Sequence, residues 1–394
     1  MKDAVPSDNL RIRRALDLAR AGVGLVSPNP AVGAVVVDAS GREIGAGTHI
    51  YEGVKHAEVL ALDQAGTRAR GATLYLNLEP CSHQGRTGPC ADAVIAAGIS
   101  RVVCSMQDPN PQVAGQGFAK LRAAGIKVEI GALEAEAKKL NESFAKYIRT
   151  GKPLVTLKSA MTLDGQIADA MKPGTVGETE LRSAMPATEG AHRGYHWITG
   201  EVARAHVQQL RHQHDAILAG VGTVMADDPL LTDRSGLPRR RKLLRVILDS
   251  YLRIPLESRV VQTAEDDVLV LCSTAEDAAR HALEAKGIRV QQIAATEDGR
   301  PNFAAIVKSL GELQITSALI EGGSLVNAAA LASGEGDKVF LYYAPKFFGA
   351  EAVPFLAESL HGKAACLQRF ELHRFGDDFA VEGYLRDPYC LVEK

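Results

Sequence analysis

The N-terminal half of the sequence contains His56-Ala57-Glu58, followed by Glu79-Pro80-Cys81 and Gly88-Pro89-Cys90. One imidazole and two thiolates form a ligand set that suits Zn²⁺. Three protein ligands leave the fourth tetrahedral position to water, which is typical of catalytic zinc. We therefore predict that His56, Cys81 and Cys90 bind Zn²⁺ and that Glu58 is the catalytic proton shuttle.

The same residues indicate a reaction. Zinc lowers the pKa of its bound water to about 7, and Glu58 accepts that proton and returns it to a departing amine. The pattern thus predicts hydrolytic deamination of an amidine-like ring carbon. Eight residues separate Cys81 from Cys90, whereas zinc deaminases with a P-C-x-x-C pattern have two. A structural zinc site is the alternative, and its fourth ligand would be His49 or His83.

Length and composition restrict the other classes of function. A chain of 394 residues suggests two domains, or three. The formal net charge of −2 gives no electrostatic reason to expect nucleic acid as a partner. We find no signal-peptide pattern and no apolar run of about 18 residues, so we expect a cytoplasmic chain without membrane contact. Six cysteines are too few for a disulfide framework, and we expect the four outside the metal site, Cys104, Cys272, Cys366 and Cys390, to be buried.

Alternating helix and strand patterns predict a layered α/β domain over residues 1–149. The predicted helices are 10–22, 56–66, 89–98, 116–124 and 134–148, and the predicted strands are 31–37, 43–47, 73–78, 101–106 and 126–130. Pro89 suits the first position of its helix. Both ligand clusters therefore lie at helix N-termini, where the helix dipole favours thiolates.

A second α/β domain is predicted over residues 153–394, because Gly151 and Pro153 break the preceding helical pattern. Its predicted strands are 154–160, 216–219, 243–248, 268–272, 315–320 and 339–343, with an antiparallel pair over 370–388. The basic run Arg239-Arg240-Arg241-Lys242 is most simply a solvated loop or surface patch. Contact with a phosphorylated ligand is the alternative.

A family resemblance covers nearly all of residues 1–150. The zinc motifs, with Pro28-Asn29-Pro30-Ala31-Val32-Gly33, Gly45-Ala46-Gly47-Thr48-His49 and Asp108-Pro109-Asn110-Pro111, resemble the deaminase half of the bifunctional riboflavin-biosynthesis deaminase/reductase family. The resemblance implies a cytidine-deaminase-like three-layer domain. It also implies a phosphorylated pyrimidine substrate, 2,5-diamino-6-ribosylamino-4(3H)-pyrimidinone 5′-phosphate, that loses its 2-amino group. The residues that match substrate-contacting loops are Asn29, His49, His83, Arg86, Asp108 and Asn110. Arg86 suits a phosphate, and for each loop Asn or His a turn-forming or solvated role is the alternative.

The segments Lys158–Gly165, Trp197–Thr199, Gly220–Thr232 and Glu321–Gly323 resemble the reductase half of the same family. The resemblance implies a dihydrofolate-reductase-like domain that uses NADPH to reduce the ribosyl side chain, giving 5-amino-6-(5-phospho-ribitylamino)uracil. Residues similar to cofactor contacts are Ala160, Trp197, Thr223, Asp227, Ser250, Gly322, Gly323, Ser324 and Leu325. Residues similar to substrate contacts are Arg211, Leu231, Arg234 and Glu321. Lys158, Asp227 and Glu321 are candidates for steadying protonation, since the cofactor carries the hydride.

Several alternatives stay open for the C-terminal domain. Lys158 would otherwise pair with a buried carboxylate, and Trp197 would otherwise pack in the core. An insertion around Met171 to Tyr195 departs from the family pattern, and Tyr195 stands where a substrate-contacting serine is expected. The C-terminal domain would then be non-catalytic or altered in specificity.

A nucleic-acid base deaminase is a further alternative for the whole chain. It predicts a basic channel with stacking aromatics, whereas aromatic residues are only 5% of this sequence. We therefore favour the small-molecule enzyme, and we expect a homo-oligomer.

Overall fold

Two β-sheets organise the protein, whose computed structural model describes residues 5–84, 88–169, 197–360 and 364–390. A five-stranded sheet is built from residues 33–130, and a nine-stranded sheet from residues 154–384. We refer to the parts that surround these sheets as the N-terminal unit and the C-terminal unit.

The N-terminal unit is a three-layer sandwich. Its elements are α1 (Val5–Ala21), β1 (Gly33–Val37), β2 (Glu43–Thr48), α2 (Ala57–Ala65), a 3₁₀ turn (Gly66–Ala69), β3 (Thr73–Leu78), α3 (Cys90–Ala96), β4 (Arg101–Met106), α4 (Gln116–Ala123), β5 (Lys127–Ile130), α5 (Glu134–Leu140) and α6 (Glu142–Thr150). The sheet order is β2-β1-β3-β4-β5, with β3, β4 and β5 parallel.

Two neighbouring residues of β2 show how the layers form. Thr48 Oγ1 donates to the carbonyl oxygen of Leu18 in α1 at 3.1 Å. A Cβ at Gly47 would lie 2.9 Å from Leu60 Cβ in α2, so only glycine permits this approach. Because adjacent strand residues point to opposite faces, α1 and α2 cover opposite sides of the sheet. The predicted three-layer fold is confirmed.

The predicted single helix over 134–148 is wrong, because the chain forms α5 and α6 with a break at Asn141. The Asn141 side chain accepts from the Ala31 N–H at 2.8 Å and donates to the Ala31 carbonyl oxygen at 3.1 Å. These bonds hold Asn141 outside helical geometry, at φ −109°. Pro89 is also displaced by one position, since it caps α3 instead of opening it.

The C-terminal unit is a large twisted sheet with helices. Its elements are β6 (Leu154–Thr162), β7 (Gln166–Ala168), α7 (Glu201–Gln213), β8 (Ala216–Gly220), α8 (Val221–Asp227), β9 (Leu244–Leu248), α9 (Arg259–Gln262), β10 (Val268–Cys272), α10 (Asp277–Glu284), β11 (Arg289–Gln292), α11 (Phe303–Glu312), β12 (Ser317–Ile320), α12 (Ser324–Ala332), β13 (Lys338–Ala344), β14 (Val353–Pro354), β15 (Arg369–Phe375) and β16 (Asp378–Tyr384).

The nine strands follow the order β11-β10-β9-β8-β12-β6-β13-β16-β15. The first seven are mutually parallel, and β16 and β15 close the sheet as the predicted antiparallel pair. Strand β11 and the short β7–β14 ribbon were not predicted, because their few residues show little periodicity. The carboxyl ends of β8 and β12 lead directly into α8 and α12, which is where open α/β sheets bind ligands.

Buried charges join the two units. Lys146 Nζ of α6 is 2.9 Å from Asp337 Oδ1, and both side chains are buried. Lys338 Nζ lies 2.6 Å from Glu142 Oε1. The prediction that Arg239–Lys242 forms a solvated loop or surface patch is wrong for its three arginines, because all three make hydrogen bonds. Arg240 and Arg241 donate to Ser27 of the N-terminal unit, and Arg239 donates within the C-terminal unit.

Two expectations from composition have different outcomes. Cys104 and Cys272 are buried as expected, but Cys366 and Cys390 are exposed, because they lie in irregular segments beside the closing strands instead of within the sheet. In the described parts of the chain, the structure contains no helix with the length and apolar character needed to cross a membrane.

Candidate functional site

The three predicted metal ligands converge at one edge of the five-stranded sheet. His56 caps α2, Cys81 follows β3, and Cys90 is the first residue of α3. Their ligand atoms lie within 4.8 Å of one another. His56 Nδ1 is 3.2 Å from Cys90 Sγ and 3.7 Å from Cys81 Sγ. One nitrogen and two sulfurs at this spacing fit a tetrahedral zinc ion.

The surroundings favour the thiolate form of Cys81. The Cys90 backbone N–H, at the start of α3, donates to Cys81 Sγ at 3.3 Å. The Cys90 side chain and, after it, His56 lower the pKa of Cys81 to about 4, against the opposing effect of burial. The hydrogen bond between the two cysteine side chains raises the pKa of Cys90, so Cys81 is the thiol that already favours the metal-binding thiolate form.

Glu58 lies in the first turn of α2 and is only 3% exposed. Burial, with the negative charge of Cys81, raises the pKa of Glu58 to about 7. A carboxyl group with this pKa both takes up and releases a proton near neutral pH, as a proton shuttle must.

Asn29 and His49 form a pair beside the ligands. Asn29 Nδ2 and His49 Nε2 are 3.1 Å apart, and the His49 ring meets the His56 ring edge-on at 5.1 Å between centroids. His49 is buried, whereas His83 is exposed. Within the described residues, neither histidine joins the three-member ligand group, so the fourth ligand that a structural zinc site needs is not supplied.

The segment after β4 brings Asp108 to the same edge of the sheet. Burial raises the pKa of Asp108 to about 6, and Asp108 Oδ1 accepts the Asn110 N–H at 2.8 Å. The Asn110 Oδ1 accepts the Gln112 N–H at 3.0 Å, which is the turn-forming role considered for it. Arg86 lies outside the described residues.

Glu79 is a residue beside the site that was not predicted from the sequence. It is 3% exposed, and its Oε2 accepts the backbone N–H groups of Asp108 at 3.1 Å and Gly115 at 2.9 Å. Its Oε1 accepts the Phe118 N–H at 3.1 Å. Glu79 therefore fixes the loop that contains Asp108. Its position two residues before Cys81 was the available signal.

A buried ion cluster forms the centre of the C-terminal unit's site. Arg211 binds Glu321 through two hydrogen bonds, Nε to Oε1 at 2.7 Å and Nη2 to Oε2 at 2.9 Å. Lys158 Nζ lies 3.3 Å from Glu321 Oε2. Burial opposes ionisation, but Lys158 and Arg211 outweigh it and lower the pKa of Glu321 to about 2. Lys158 thus pairs with a buried carboxylate, as the alternative interpretation stated.

The predicted cofactor turn follows β12. A Cβ at Gly322 would lie 2.8 Å from Val326 Cβ, and one at Gly323 would lie 3.6 Å from Thr223 Oγ1. A side chain at position 322 would therefore clash with Val326, whereas one at position 323 would make an ordinary contact with Thr223. The Ser324 hydroxyl donates to the Pro354 carbonyl oxygen, so its backbone N–H is the group left for a ligand. Backbone amides at a helix N-terminus fit a cofactor phosphate.

Four other residues predicted to contact the cofactor lie on strands, turns and helices of the C-terminal unit. Trp197 is 62% exposed, with the Arg204 guanidinium 5.0 Å from its ring centroid, so the core-packing alternative is wrong. Leu325 is 47% exposed. Ala160 lies on β6 opposite Tyr342, and Ser250 lies in the turn after β9.

The remaining predictions differ in how closely they join the cluster. Asp227 is exposed at the end of α8, and among the described residues the ion pairs of Glu321 are with Lys158 and Arg211 only. Leu231 is buried with φ 54°. Burial and the nearby Arg211 lower the pKa of the Arg234 guanidinium, which places two cations close together. Tyr195 and the 171–195 insertion lie outside the described residues.

Two family models match the chain. The cytidine and deoxycytidylate deaminase zinc-binding region matches residues 6–106. The RibD C-terminal domain matches residues 153–381, more than half of the chain. These matches contain the metal-ligand cluster and the Glu321 cluster, respectively.

Similar proteins extend over both units. The riboflavin biosynthesis protein RibD of Aquifex aeolicus is 41% identical, with 87% of this chain and 88% of the relative covered. The Escherichia coli protein of the same name is 40% identical, with 88% and 89% covered. Among solved structures, RibD of Acinetobacter baumannii has a TM-score of 0.77 at 35% identity, with 96% of this chain and 99% of that chain covered. A diaminohydroxyphosphoribosylaminopyrimidine deaminase/5-amino-6-(5-phosphoribosylamino)uracil reductase of Thermotoga maritima has a TM-score of 0.75 at the same identity and coverage. The chain therefore belongs to the RibD family of riboflavin-biosynthesis enzymes, in which a zinc-binding deaminase domain is joined to a reductase domain.

Proposed function

We propose that residues 1–149 deaminate 2,5-diamino-6-ribosylamino-4(3H)-pyrimidinone 5′-phosphate and that residues 153–394 then reduce its ribosyl group with NADPH. The observation that carries this proposal is the convergence of His56, Cys81 and Cys90 with Glu58 in the first turn of the same helix. The resulting product is 5-amino-6-(5-phospho-ribitylamino)uracil.

In the deaminase, the residues of the protein bind the pyrimidine ring and transfer protons. Zinc, when bound by the three ligands, supplies the Lewis acidity that activates water. Glu58 accepts a proton from that water and returns it to the departing amine, so water is consumed and ammonia leaves. Asn29 and His49 orient the ring beside the ligands. Asp108, with His83 and Asn110, completes the substrate side, and Arg86 is proposed as the phosphate ligand.

In the reductase, residues position two ligands. NADPH supplies the hydride when bound, and its contacts are the proposed set Ala160, Trp197, Thr223, Asp227, Ser250 and Gly322–Leu325. Arg211 and Arg234 bind the sugar phosphate, with Leu231 beside them. Glu321 keeps Arg211 in place and pairs with Lys158, whose Nζ is the first proposed proton carrier. Asp227 is the second proposed proton carrier.

We also propose a cytoplasmic homo-oligomer. Phe370 and Leu372 on the edge strand β15 are 62% and 68% exposed, and an exposed apolar sheet edge supports association. The cysteine ligands support a reducing compartment, because oxidation to a disulfide would destroy the metal site.

Metal analysis combined with mass spectrometry of the products tests the proposal. One zinc per chain, a mass gain of about one dalton without NADPH and a further gain of about two with it are expected. Deamination without any NADPH oxidation would instead favour the non-catalytic or altered C-terminal domain. Unchanged substrate mass with zinc bound contradicts the deaminase assignment.

A further inference from the structure

Two arginines of the C-terminal unit hold a loop of the deaminase site. Arg240 Nη1 donates to the Ser27 carbonyl oxygen at 2.9 Å, and the Arg240 backbone N–H donates to the Gly24 carbonyl oxygen at 2.9 Å. Arg241 Nη2 donates to Ser27 Oγ at 3.1 Å. This loop continues directly into Asn29, one of the two residues paired beside the zinc ligands.

Arg240 also contacts the second segment of that pair. Its guanidinium lies over the Tyr51 ring, 3.6 Å from the centroid, in a cation–π contact. Tyr51 is two residues beyond His49, and its N–H donates to the Leu25 carbonyl oxygen at 3.0 Å. One side chain therefore touches both segments that bring Asn29 and His49 together.

The contacts of Arg241 and Ser27 end on a carboxylate that is buried in the C-terminal unit. Ser27 Oγ donates to Asp215 Oδ2 at 2.7 Å, and Arg241 pairs with the same carboxylate oxygen at 3.2 Å. The Thr316 N–H also donates to Asp215 Oδ2, at 2.8 Å. Since Asp215 is only 7% exposed and bonded to the strand-end backbone, its position is set by the larger sheet.

We propose that Arg240 and Arg241 are positioning residues for deamination, which set substrate affinity at the zinc site from within the reductase unit. The inference rests on the proposed function. Neither arginine bonds to His56, Cys81, Cys90 or Glu58 in the structure. Removal of either arginine should therefore weaken substrate binding and leave the rate of the chemical step unchanged. A substrate-binding loop that is already held in place loses less conformational entropy when the substrate binds, which favours binding.

Steady-state deaminase kinetics of the full-length zinc enzyme, followed by ammonia release, test this inference. For Arg240→Ala we expect the substrate KM to rise about tenfold with kcat within about twofold, because a cation–π contact and a hydrogen bond are lost. Arg240→Lys retains the cation over Tyr51 and should recover about half of that loss on a logarithmic scale. Ser27→Ala, which leaves both arginines intact, should raise KM about threefold.

Lys242→Ala is the matched control. Lys242 is adjacent in the run, but its exposed side chain pairs with Glu265 of its own unit, so wild-type KM is expected. Reductase activity on the deaminated intermediate and the zinc content should be unchanged in every variant. Wild-type KM in both Arg240→Ala and Ser27→Ala overturns the inference, as does a parallel loss of kcat, zinc and reductase activity. If the wild-type enzyme releases no ammonia, the proposed function itself fails.

Discussion

The deaminase and reductase sites differ in the kinds of residues that they use and in how these residues are distributed along the sequence. The proposed deaminase site is compact in sequence, since its metal ligands and Glu58 all lie between residues 56 and 90, at the starts of α2 and α3 and just after β3. The proposed reductase site is spread from Lys158 to Leu325, over three strands and three helices or the turns beside them. Where the protein supplies ligands and a proton shuttle, few residues suffice. Where a cofactor supplies the hydride, many residues share the work of alignment.

Charge is also handled differently in the two sites. Glu58 is buried, and burial together with the negative charge of Cys81 raises its pKa to about 7. Glu321 is also buried, but Lys158 and Arg211 lower its pKa to about 2. One carboxyl group is thus suited to exchange protons and the other to remain ionised. This contrast predicts that equal substitutions at the two carboxylates have unequal consequences.

Glu58→Gln should give the largest effect on activity. The amide retains size and hydrogen bonding but cannot transfer a proton, so deaminase kcat should fall by about 10³-fold. Ammonia release measures it, with metal analysis and NADPH oxidation on the supplied deaminated intermediate as controls. Because burial of an ionisable group is removed, stability should not fall. Turnover above about a tenth of wild type contradicts the shuttle role.

Glu321→Gln should act on both structure and reduction. It leaves Arg211 and Lys158 partly buried without their shared counter-charge, which should lower the free energy of unfolding by about 3 kcal/mol. Misplacement of Arg211 should reduce reductase kcat/KM by about a hundredfold. Denaturant unfolding and NADPH oxidation measure the two effects, and deaminase kcat/KM should stay within about threefold. If unfolding is unchanged while reduction is lost, Glu321 acts on the reaction and not through the ion cluster.

The same contrast explains what the sequence could predict. The proposed zinc ligands could be identified from the sequence, because residue type and order carry the information. The roles of Glu79 and Asn141 could not be read, since each depends on backbone groups of segments distant in sequence. The arginines of the 239–241 run look like any exposed basic stretch, and only the packing of one unit on the other makes them a junction.

Most strands were predicted within about two residues, as buried apolar runs allow. The helix break at Asn141 was missed because the residues on both sides of it have helical patterns. In the reductase site, resemblance named the residues, but no periodicity distinguishes an exposed Trp197 from a buried one. Residues that act by contacting a bound cofactor show no local sequence pattern that identifies them.

At the junction between the units, we predict an effect of intermediate size on stability, and this effect depends on pH. Burial opposes ionisation of Glu382, but Lys338 and Lys139 lower its pKa to about 2, below the ordinary value near 4.5. A carboxyl group with a depressed pKa contributes stability above its unfolded pKa and loses it as pH falls through the folded value. Glu382→Gln should therefore be less stable than wild type by about 2 kcal/mol at about pH 7. The difference should shrink between about pH 4.5 and 2, where wild-type Glu382 becomes neutral.

Thermal unfolding of both proteins across this pH range measures the effect. Lys139 belongs to the N-terminal unit, so the loss should also weaken docking of the two units. A pH-independent difference would mean that the hydrogen bonds of Glu382, and not its charge, stabilise the junction. Glu371→Gln is a useful control, because Glu371 binds the same Lys139 from an exposed position, and exposed pairs contribute little.

The smallest predicted effect concerns the exposed edge of the reductase site. Arg234 is exposed and close to Arg211, and both arginines are proposed to bind the doubly charged sugar phosphate. Arg234→Gln should raise the reductase KM about tenfold with little change in kcat, because the phosphate is remote from the carbon that accepts hydride. The increase should diminish at high salt and disappear with a dephosphorylated analogue, as an electrostatic contact requires. Arg289→Gln, which changes an exposed arginine on the edge strand β11, should leave both constants unchanged. An equal rise in KM for the dephosphorylated analogue would show that Arg234 contacts the ring or the cofactor instead.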